Sequence, residues 1–244
     1  MSHIAVVGGG RSGPAIQQAL EERGARVTML SRTTGFDVLH DDLAGRVPDA
    51  DAIIEAAGRF TISRSEATSF FTASTRMVAS AANRLGVPHV LLSIVNCDAP
   101  SLQGYGYLAG KAAQERVARR ESERLTIVRS SQWFEFAEQN LERMRFGPIA
   151  LVPAMLLQPV ALDAVAAVLA DCALGRREGD LHNIVGPDRM TLWEMTRQLP
   201  TEGSPKPVPL RIPTRYGRAF HQGAFLPRRD FETHGPRFAE WLRG

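Results

Sequence analysis

Short apolar runs alternate with longer segments in which apolar residues recur every three or four positions, throughout residues 1–140. The short runs predict buried strands, and the longer period predicts helices that pack through one face. Strands that alternate with helices are typical of a parallel sheet covered by helices on both sides. The predicted strands are residues 4–7, 26–30, 36–39, 52–58, 90–94 and 125–129.

Residues 141–244 follow a different pattern, in which short elements are separated by proline and glycine. Residues 182–185 predict a strand, and Thr191 with Glu194 predicts the capping box of a helix. We therefore expect a Rossmann-type α/β fold, with a doubly wound parallel sheet, helices on both faces and a small C-terminal substrate-binding annex. Residues 1–140 form the NAD(P)-binding core, and the annex packs on it as part of a single structural unit. A chain of 244 residues is long enough for this arrangement.

A glycine-rich turn connects the first predicted strand to the first predicted helix. Gly8, Gly10 and Gly13 form a G-x-G-x-x-G motif, and Arg11 and Ser12 lie within it. Gly8 allows a tight turn, Gly10 lets the backbone approach a pyrophosphate, and Gly13 lets the helix pack closely on the strand. The helix N-terminus then attracts the anion. Glycines also cluster in ordinary turns, but the strand–helix units that follow favour dinucleotide binding.

The end of the second strand indicates which dinucleotide is bound. An acidic residue there would accept hydrogen bonds from an adenosine 2′-hydroxyl, whereas a guanidinium would pair with a 2′-phosphate. The chain has Ser31 and Arg32 at this point, and Arg11 of the glycine turn flanks the same pocket. These residues predict NADP(H), with two solvated surface arginines as the alternative interpretation.

Further cofactor contacts are expected on the two strands that follow. Asp37, next to Val38, is placed to accept a hydrogen bond from the adenine amino group, or else it caps a turn. The strand at residues 52–58 ends in small side chains, which a flat cofactor lying across strand ends requires. These small residues are Ala56, Ala57 and Gly58.

Candidate catalytic groups follow the next strand. Ser93 lies at the carboxyl end of residues 90–94, at the edge of a parallel sheet where ligands bind. Tyr107 and Lys111 are four residues apart on a predicted helix, so the phenol and the ammonium share one face. This spacing suits a proton donor beside a cation that binds the cofactor ribose and lowers the phenol pKa. A chance pair of surface residues is the alternative, and the position after a serine-ended strand weighs against it.

The residues after the last core strand are expected near the nicotinamide and the substrate. Ser130 and Ser131 are placed to meet the nicotinamide carboxamide. Gln132, Trp133 and Phe134 are candidate walls of a substrate pocket, with plain core packing as the alternative for the two aromatic residues. Phe134 and the last amphipathic helix can bury against a second subunit or against their own domain, so a homodimer and a monomer both stay open.

The composition indicates which kinds of partner the chain is expected to bind. Lys and Arg number 29 against 26 Asp and Glu, and the arginines are scattered along the chain, so we expect no nucleic-acid surface. The two cysteines lack metal-ligand spacing, so neither a disulfide framework nor a metal site is expected. No apolar run reaches membrane-spanning length, and the chain enters a strand without a signal sequence. These features predict a cytoplasmic protein that binds no membrane and acts on a small-molecule substrate.

Taken together, residues 8–13, Ser93, Tyr107 and Lys111 resemble the short-chain dehydrogenase/reductase superfamily. The similarity is strongest to its atypical NmrA-like branch of NAD(P)-binding proteins and extends along nearly the whole chain. The resemblance implies that Ser93 hydrogen-bonds the substrate carbonyl, that Tyr107 donates the proton as hydride arrives, and that Lys111 binds the nicotinamide ribose. The chain departs from the branch in its glycine turn, which lacks the usual threonine and alanine, and in the short connection after the second strand.

The function implied by this resemblance is that of an NADPH-dependent oxidoreductase, which reduces a carbonyl, quinone or conjugated enone with Tyr107 as the general acid. Two alternatives stay open. Some members of the branch bind the dinucleotide as redox sensors and catalyse nothing, and a redox-neutral isomerase or cyclase would use Tyr107 as an acid alone. Turnover without net change in the cofactor would identify an enzyme of the latter kind.

Overall fold

Strands and helices alternate along most of the chain in the computed structural model. The structure describes residues 1–200, 202–228 and 230–244. The strands are β1 (His3–Gly8), β2 (Arg26–Leu30), β3 (Ala52–Ala56), β4 (His89–Ile94), β5 (Leu125–Ser130), β6 (Arg145–Phe146), β7 (Ile149–Pro153), β8 (Leu156–Leu157), β9 (Leu181–Val185), β10 (Met190–Thr191), β11 (Lys206–Leu210) and β12 (Glu232–Thr233). The helices are α1 (Gly13–Glu21), α2 (Leu43–Arg46), α3 (Arg64–Leu85), α4 (Gly106–Glu121), α5 (Phe136–Arg143), α6 (Leu162–Ala173), α7 (Leu192–Gln198), α8 (Arg215–His221) and α9 (Phe238–Trp241).

Seven strands form one sheet in the order β12-β9-β5-β4-β3-β1-β2, and the pairings between neighbours are parallel. The sheet and its helices confirm the Rossmann-type α/β fold expected from the sequence. From β1 the chain moves outward to β2 and returns to β3 on the other side of β1. Such a reversal opens a crevice at the carboxyl ends of the two strands, and ligands of open α/β sheets bind there.

The two faces of the sheet are covered by different helices, because side chains alternate along each strand. Ile4 and Val6 of β1 pack in a cluster that contains Ile16 of α1 and Leu169 of α6. The alternate side chains of β1 pack on the opposite face in a cluster with α2 and α3. Helix α4 packs against α3 on that second face. The sheet is therefore enclosed on both sides, and its carboxyl edge is where ligands of open α/β sheets bind.

The segment between β2 and α2 differs from the prediction. Residues 36–39, predicted as a strand, form turns, and a short 3₁₀ turn precedes them. The Asp37 carboxylate accepts a hydrogen bond from the Leu39 backbone N–H at 2.9 Å, so the backbone is held in a turn and offers no strand ladder. Phe36 is buried in the core without belonging to the sheet. The strand prediction for this segment is therefore wrong, and the sheet ends at β2.

The C-terminal residues extend the sheet and also pack over its carboxyl edge. Strands β9 and β12 lie beyond β5, which confirms the strand predicted at residues 182–185. Strands β6, β7 and β11 form a second small sheet, and β8 pairs with β10. The Thr191 hydroxyl accepts from the Glu194 backbone N–H, so the predicted capping box does begin α7. A hydrophobic cluster that includes Phe134 and Phe238 packs these elements on the loops after β4 and β5.

Replacing Gly8 with alanine is expected to destabilise the fold. Gly8 has a φ of +88°, and an added Cβ would lie 2.4 Å from the Ala57 backbone. The end of β1 meets the end of β3 here, so no flexible side chain can move to relieve the clash. We expect the free energy of unfolding, measured by urea denaturation, to fall by about 2 kcal/mol or more.

The Gly10→Ala variant is the matched control in the same turn. A Cβ on Gly10 would meet nothing within 4 Å, and the φ of this residue lies outside the left-handed region. We expect its free energy of unfolding to stay within about 0.5 kcal/mol of the natural value. Equal losses in the Gly8 and Gly10 variants would contradict the close approach of β1 and β3.

Candidate active site

The glycine turn lies in the crevice between β1 and β3. The Gly13 backbone N–H donates to the Gly9 carbonyl oxygen and closes the turn into α1. A Cβ on Gly13 would lie 3.1 Å from the Met29 side chain of β2, so this glycine lets the helix pack closely on the strand. Gly10 borders open space, and the first-turn amides of α1 have no acceptor within the helix. The turn therefore has the space and the donors to bind an anion such as a pyrophosphate.

Arginines lie in the glycine turn and at the end of β2. Arg32 is exposed, and the Ser31 hydroxyl beside it lies 2.7 Å from the Thr33 hydroxyl. Arg11 is half exposed and pairs with Glu142 of α5 at 2.8 Å. Exposed ion pairs contribute little to stability, so Arg11 can exchange this partner for a ligand phosphate at small cost. Positive charge is therefore available where the sequence places the 2′-phosphate.

Asp37 and Val38 belong to the turn after β2. Asp37 accepts from the Leu39 backbone N–H and lies 3.0 Å from His40 Nδ1, and these contacts hold the pKa of its carboxyl below the ordinary value. Val38 is half-buried and packs against the core. Asp37 therefore caps a turn, and its two carboxylate oxygens contact Leu39 and His40 of the same turn.

Small residues at the end of β3 bring the glycine turn and α4 together. Ala56 pairs with Gly8 in the sheet, and the Ala57 backbone is the group that a Cβ on Gly8 would meet. A Cβ on Gly58 would lie 3.9 Å from the Tyr107 hydroxyl oxygen. The phenol therefore lies next to the end of β3, at the edge of the sheet that carries the glycine turn.

The Tyr107 ring is flanked by aromatic side chains. Phe71 of α3 meets it edge-on with 5.5 Å between ring centres, and the Phe60 ring lies at 6.0 Å. Burial raises the pKa of the Tyr107 phenol, although the nearby Arg143 guanidinium opposes this shift. The phenol therefore keeps its proton at neutral pH.

Lys111 lies one helical turn from Tyr107, but its ammonium points into the protein. Its Nζ donates to the Leu92 carbonyl oxygen at 2.7 Å and to the side-chain oxygen of Gln114. Burial lowers the pKa of Lys111, and the Glu55 carboxylate opposes that shift. The predicted effect of Lys111 on Tyr107 is not seen: burial raises the pKa of the phenol, and Arg143 is the charge that opposes this shift.

Ser93 belongs to a buried cluster and not to the open edge. Its hydroxyl, which is 2% exposed, donates to Glu115 of α4 at 2.7 Å. Glu115 also accepts two hydrogen bonds from Arg129 of β5, at 2.8 and 2.6 Å, and one from the Cys97 thiol at 3.3 Å. Burial raises the pKa of Glu115, but these bonds outweigh burial and hold the pKa below its ordinary value. The hydroxyl of Ser93 is thus held by Glu115 and is not presented to a substrate carbonyl.

The residues after β5 are largely turned inward. The Ser130 hydroxyl accepts from Trp133 Nε1 at 2.8 Å, and Ser131 is 3% exposed. Phe134 is fully buried in an aromatic cluster with α9, so core packing describes it better than a pocket wall. Gln132 and Trp133 are half-buried and are the two residues of this group that keep surface for a ligand.

Besides Glu115, two further carboxylates near this edge were not predicted from the sequence. Glu55 of β3 is fully buried. Glu135 has one carboxylate oxygen that is buried without a hydrogen-bond partner among the described residues. Burial raises its pKa, and the charges of Asp163 and Glu138 add to the shift. Each of these two acidic residues is the only charged residue in a short apolar stretch. Such a lone charge was the sequence signal that could have indicated a buried carboxylate.

Within the described ranges, no helix is long and apolar enough to cross a membrane. The same residues contain no group of three or more His, Cys, Asp or Glu side chains arranged to bind a metal ion. Cys97 and Cys172 are both buried free thiols.

Solved structures of several enzymes share this fold. The UDP-N-acetylglucosamine 4-epimerase from Bacillus cereus has a TM-score of 0.69 at 16% identity, over 99% of this chain and 94% of that one. The dTDP-4-dehydrorhamnose reductase from Bacillus anthracis str. Ames, in complex with NADP, has a TM-score of 0.69 at 15% identity, over 99% and 96%. The NADPH-dependent quinone oxidoreductase from Escherichia coli, complexed with NADPH, has a TM-score of 0.68 at 14% identity, over 98% of each chain.

These similarities establish the fold, and at such low identity they establish nothing finer. The chain matches no protein-family model and no curated protein. Membership of the NmrA-like branch therefore stays a prediction.

Removing the Arg129 guanidinium is expected to destabilise the protein strongly. In Arg129→Leu, the Glu115 carboxylate would lose its main partner at a buried site, so it either stays charged without compensation or has to take up a proton. Leaving a buried charge unpaired costs about 3 to 5 kcal/mol in the free energy of unfolding. Urea denaturation at neutral pH measures this loss.

Arg119→Ala is the matched control, because the Arg119 guanidinium approaches the same Glu115 carboxylate at 3.5 Å but is 43% exposed. We expect a loss below about 1 kcal/mol for this variant.

The pKa of Glu115 is lowered by folding, so its stabilising contribution is present above about pH 4 and is lost as the pH falls further. The gap between the natural chain and Arg129→Leu should therefore narrow in acid. Equal losses for both arginine variants would contradict this account.

Proposed function

We propose that this chain is an NADPH-dependent oxidoreductase that reduces a carbonyl, quinone or conjugated enone of a small molecule. The observation that carries the proposal is the position of the Tyr107 phenol, which is protonated and lies beside Gly58 at the edge that holds the glycine turn. A proton donor next to a nicotinamide site is what the reduction of a carbonyl requires. The Rossmann-type fold supports a dinucleotide site at the same edge as this proton donor.

The residues of the crevice fit NADPH. The glycine turn, open at Gly10, would hold the pyrophosphate at the N-terminus of α1, and Arg32 and Arg11 would pair with the 2′-phosphate. Residues 30–32 include a guanidinium and no carboxylate, which favours NADP(H) over NAD(H). When bound, the cofactor supplies the hydride.

The protein's own groups supply and position the proton. Tyr107 donates it from the phenol oxygen to the substrate oxygen as the adjacent carbon is reduced. Lys111 uses two of its three N–H groups inside the protein, and the third would have to turn from the Phe71 ring toward the crevice to bind the cofactor ribose. Phe60, which is 52% exposed, flanks the phenol on the solvent side. Ser93 has no part in this scheme, because Glu115 holds its hydroxyl.

Two structural neighbours support this reaction class. The Escherichia coli neighbour is described as an NADPH-dependent quinone oxidoreductase, and the Bacillus anthracis neighbour is a reductase in complex with NADP. In the present chain, Gln132 and Trp133 keep exposed surface after β5 and would contact the small-molecule substrate.

A dinucleotide-binding regulator without catalytic activity is the second candidate. One observation favours it, namely that the Ser93 hydroxyl is bonded to Glu115, so one member of the expected catalytic trio is occupied. Such a protein would bind NADP⁺ and NADPH with different affinities and would consume neither. The two candidates therefore differ in whether NADPH is oxidised.

Tyr107→Phe should remove most of the turnover and spare cofactor binding. Phenylalanine keeps the ring contacts with Phe60 and Phe71 but has no proton to donate. We expect kcat to fall by about 10²- to 10⁴-fold, measured as NADPH consumption across quinones, enones and aromatic ketones. The affinity for NADPH, measured by fluorescence titration, should be unchanged.

Tyr105→Phe is the matched control for that experiment, because Tyr105 packs against the rings of Tyr216 and Phe220 and has no role in the proposed reaction. It should retain the natural activity. Natural turnover in the Tyr107 variant would refute the role of this phenol. NADPH binding with no consumption across the panel would favour the regulator, and product without net oxidation of NADPH would identify a redox-neutral enzyme.

Arg32→Ala should reduce the preference for NADPH over NADH. The guanidinium is exposed, so its loss leaves the fold intact and removes a charge-assisted contact with the 2′-phosphate. We expect the affinity for NADPH to fall about tenfold or more, and that for NADH to stay constant, by isothermal titration calorimetry. Arg46→Ala, on the exposed side of α2, removes the same charge and should change neither affinity. Equal effects of the two substitutions would rule out a specific contact.

A further inference from the structure

Glu55 is a fully buried carboxylate enclosed by β4, α3 and α4. A charge at such a site persists only where neighbouring groups compensate for the loss of water. The groups that contact its two oxygens are Ser74 Oγ, Thr75 Oγ1 and Gln114 Nε2 at 2.9 Å and His89 Nε2 at 3.1 Å. These contacts satisfy the carboxylate from three directions.

Gln114 connects this carboxylate to Lys111. Its side-chain N–H donates to Glu55, and its side-chain oxygen accepts from the Lys111 ammonium. The ammonium also donates to the Leu92 carbonyl oxygen and lies 4.9 Å from the centre of the Phe71 ring. One orientation of the amide satisfies both of its contacts, with a cation at its oxygen and an anion at its nitrogen. Gln114 therefore holds two opposite charges at a fixed separation.

The other titratable groups near Lys111 are already neutral or paired. The Glu115 carboxylate is bonded twice to Arg129. The Cys97 thiol is neutral because burial raises its pKa to about 12. The Tyr107 phenol is protonated for the same reason, since burial raises its pKa. Glu55 is therefore the nearby carboxylate that is not paired with an arginine, and it connects to the Lys111 ammonium through Gln114.

His89 is the remaining titratable group that faces Glu55. Its Nε2 contacts the carboxylate, and its Nδ1 lies 2.8 Å from the Ser122 hydroxyl. A neutral imidazole satisfies both contacts when Nε2 donates to Glu55 and Nδ1 accepts from Ser122. A protonated imidazole would satisfy the same two contacts by donating from both nitrogens, so Glu55 faces two basic groups, His89 in direct contact and Lys111 across the Gln114 amide.

We propose that Glu55 is the counter-ion of Lys111, a positioning residue that keeps the Lys111 ammonium charged across the Gln114 amide. The two charges lie on neighbouring elements in a region that excludes water, where attraction between charges is weakened less than at the surface. One consequence rests on the proposed function: the cation beside Tyr107 persists at neutral pH although it is buried, and it serves the cofactor ribose in that form.

Burial and charge act in opposite directions on both groups. Burial lowers the pKa of Lys111, and Glu55 is the strongest of the charges that raise it. Burial also opposes ionisation of Glu55, but its contacts with His89 and the charge of Lys111 hold its pKa below the ordinary value. Neutralising Glu55 removes the main support of the ammonium, so Lys111 should then lose its proton at a lower pH.

Lysine NMR tests the proposal without an enzyme assay. The sequence contains two lysines, so carbon-13 labelling at lysine Cε gives one signal for Lys111 and one for the exposed Lys206, which serves as an internal reference. In Glu55→Gln, the titration midpoint of Lys111 should fall by about one pH unit or more, while that of Lys206 stays constant. An unchanged Lys111 midpoint in the folded variant would overturn the proposal.

Two further variants separate charge from packing. Gln114→Met removes the bridge without changing any charge and should lower the Lys111 midpoint by a smaller amount. Ser74→Ala removes one hydrogen bond to Glu55, leaves both charges in place and should not move the midpoint. If circular dichroism shows that Glu55→Gln does not fold, the Lys111 midpoint in Gln114→Met decides instead. A lower midpoint supports the proposal, and an unchanged midpoint overturns it. In the natural chain, a neutral Lys111 at pH 7 would overturn the proposal without any variant.

Turnover distinguishes failure of this inference from failure of the proposed function. In an active enzyme, the alkaline limb of the pH–rate profile should move to lower pH in Glu55→Gln, in parallel with the NMR midpoint. An unmoved limb with a shifted midpoint would refute the link between the Lys111 charge and turnover. If the natural chain has no activity, the proposed function fails, and a shifted midpoint still supports the charge pair.

Discussion

The close approach of β1 and β3 at their carboxyl ends is the constraint on which the rest of the site depends. Gly8 and the Ala57 backbone are so close that no Cβ fits between them. Because the strands meet there, the glycine turn enters α1 on one side, and Gly58 comes next to the Tyr107 hydroxyl on the other. A backbone contact, made by residues with no chemistry of their own, therefore brings the anion-binding turn and the proton donor to one edge.

The face of the sheet under α3 and α4 buries charged groups, whereas the face under α1 and α6 is lined by apolar side chains. Glu55 and Glu115 are the buried carboxylates among the residues that the structure describes, and each is satisfied by partners from several elements. Buried ion pairs add less to stability than their geometry suggests, because desolvation opposes the attraction. Their concentration around Lys111 and Tyr107 therefore points to a role in setting the charge at the site, beyond holding the fold together.

Much of the fold follows from local signals, and the failures follow from their limits. Apolar runs located the core strands, but the short run at residues 36–39 does not distinguish a strand from a buried turn. Ser93 was placed correctly at a strand end, yet strand alternation turns its side chain toward α4, where Glu115 holds it. Pairings such as Glu55 with Gln114 join residues far apart in sequence, so the packing of the helices decides them and no local pattern marks them.

Helix α4 couples the candidate chemistry to the stability of the fold. Tyr107, Lys111, Gln114 and Glu115 recur at helical spacing, so they share one face of the helix. In an ordinary buried helix this face would be apolar, and several neighbouring rotations of the helix would pack almost equally well. Here the polar groups need fixed partners on the sheet, and a single rotation satisfies them together. The phenol is therefore held in place by bonds made one and two turns further along α4, and such rigid placement is what general acid catalysis needs.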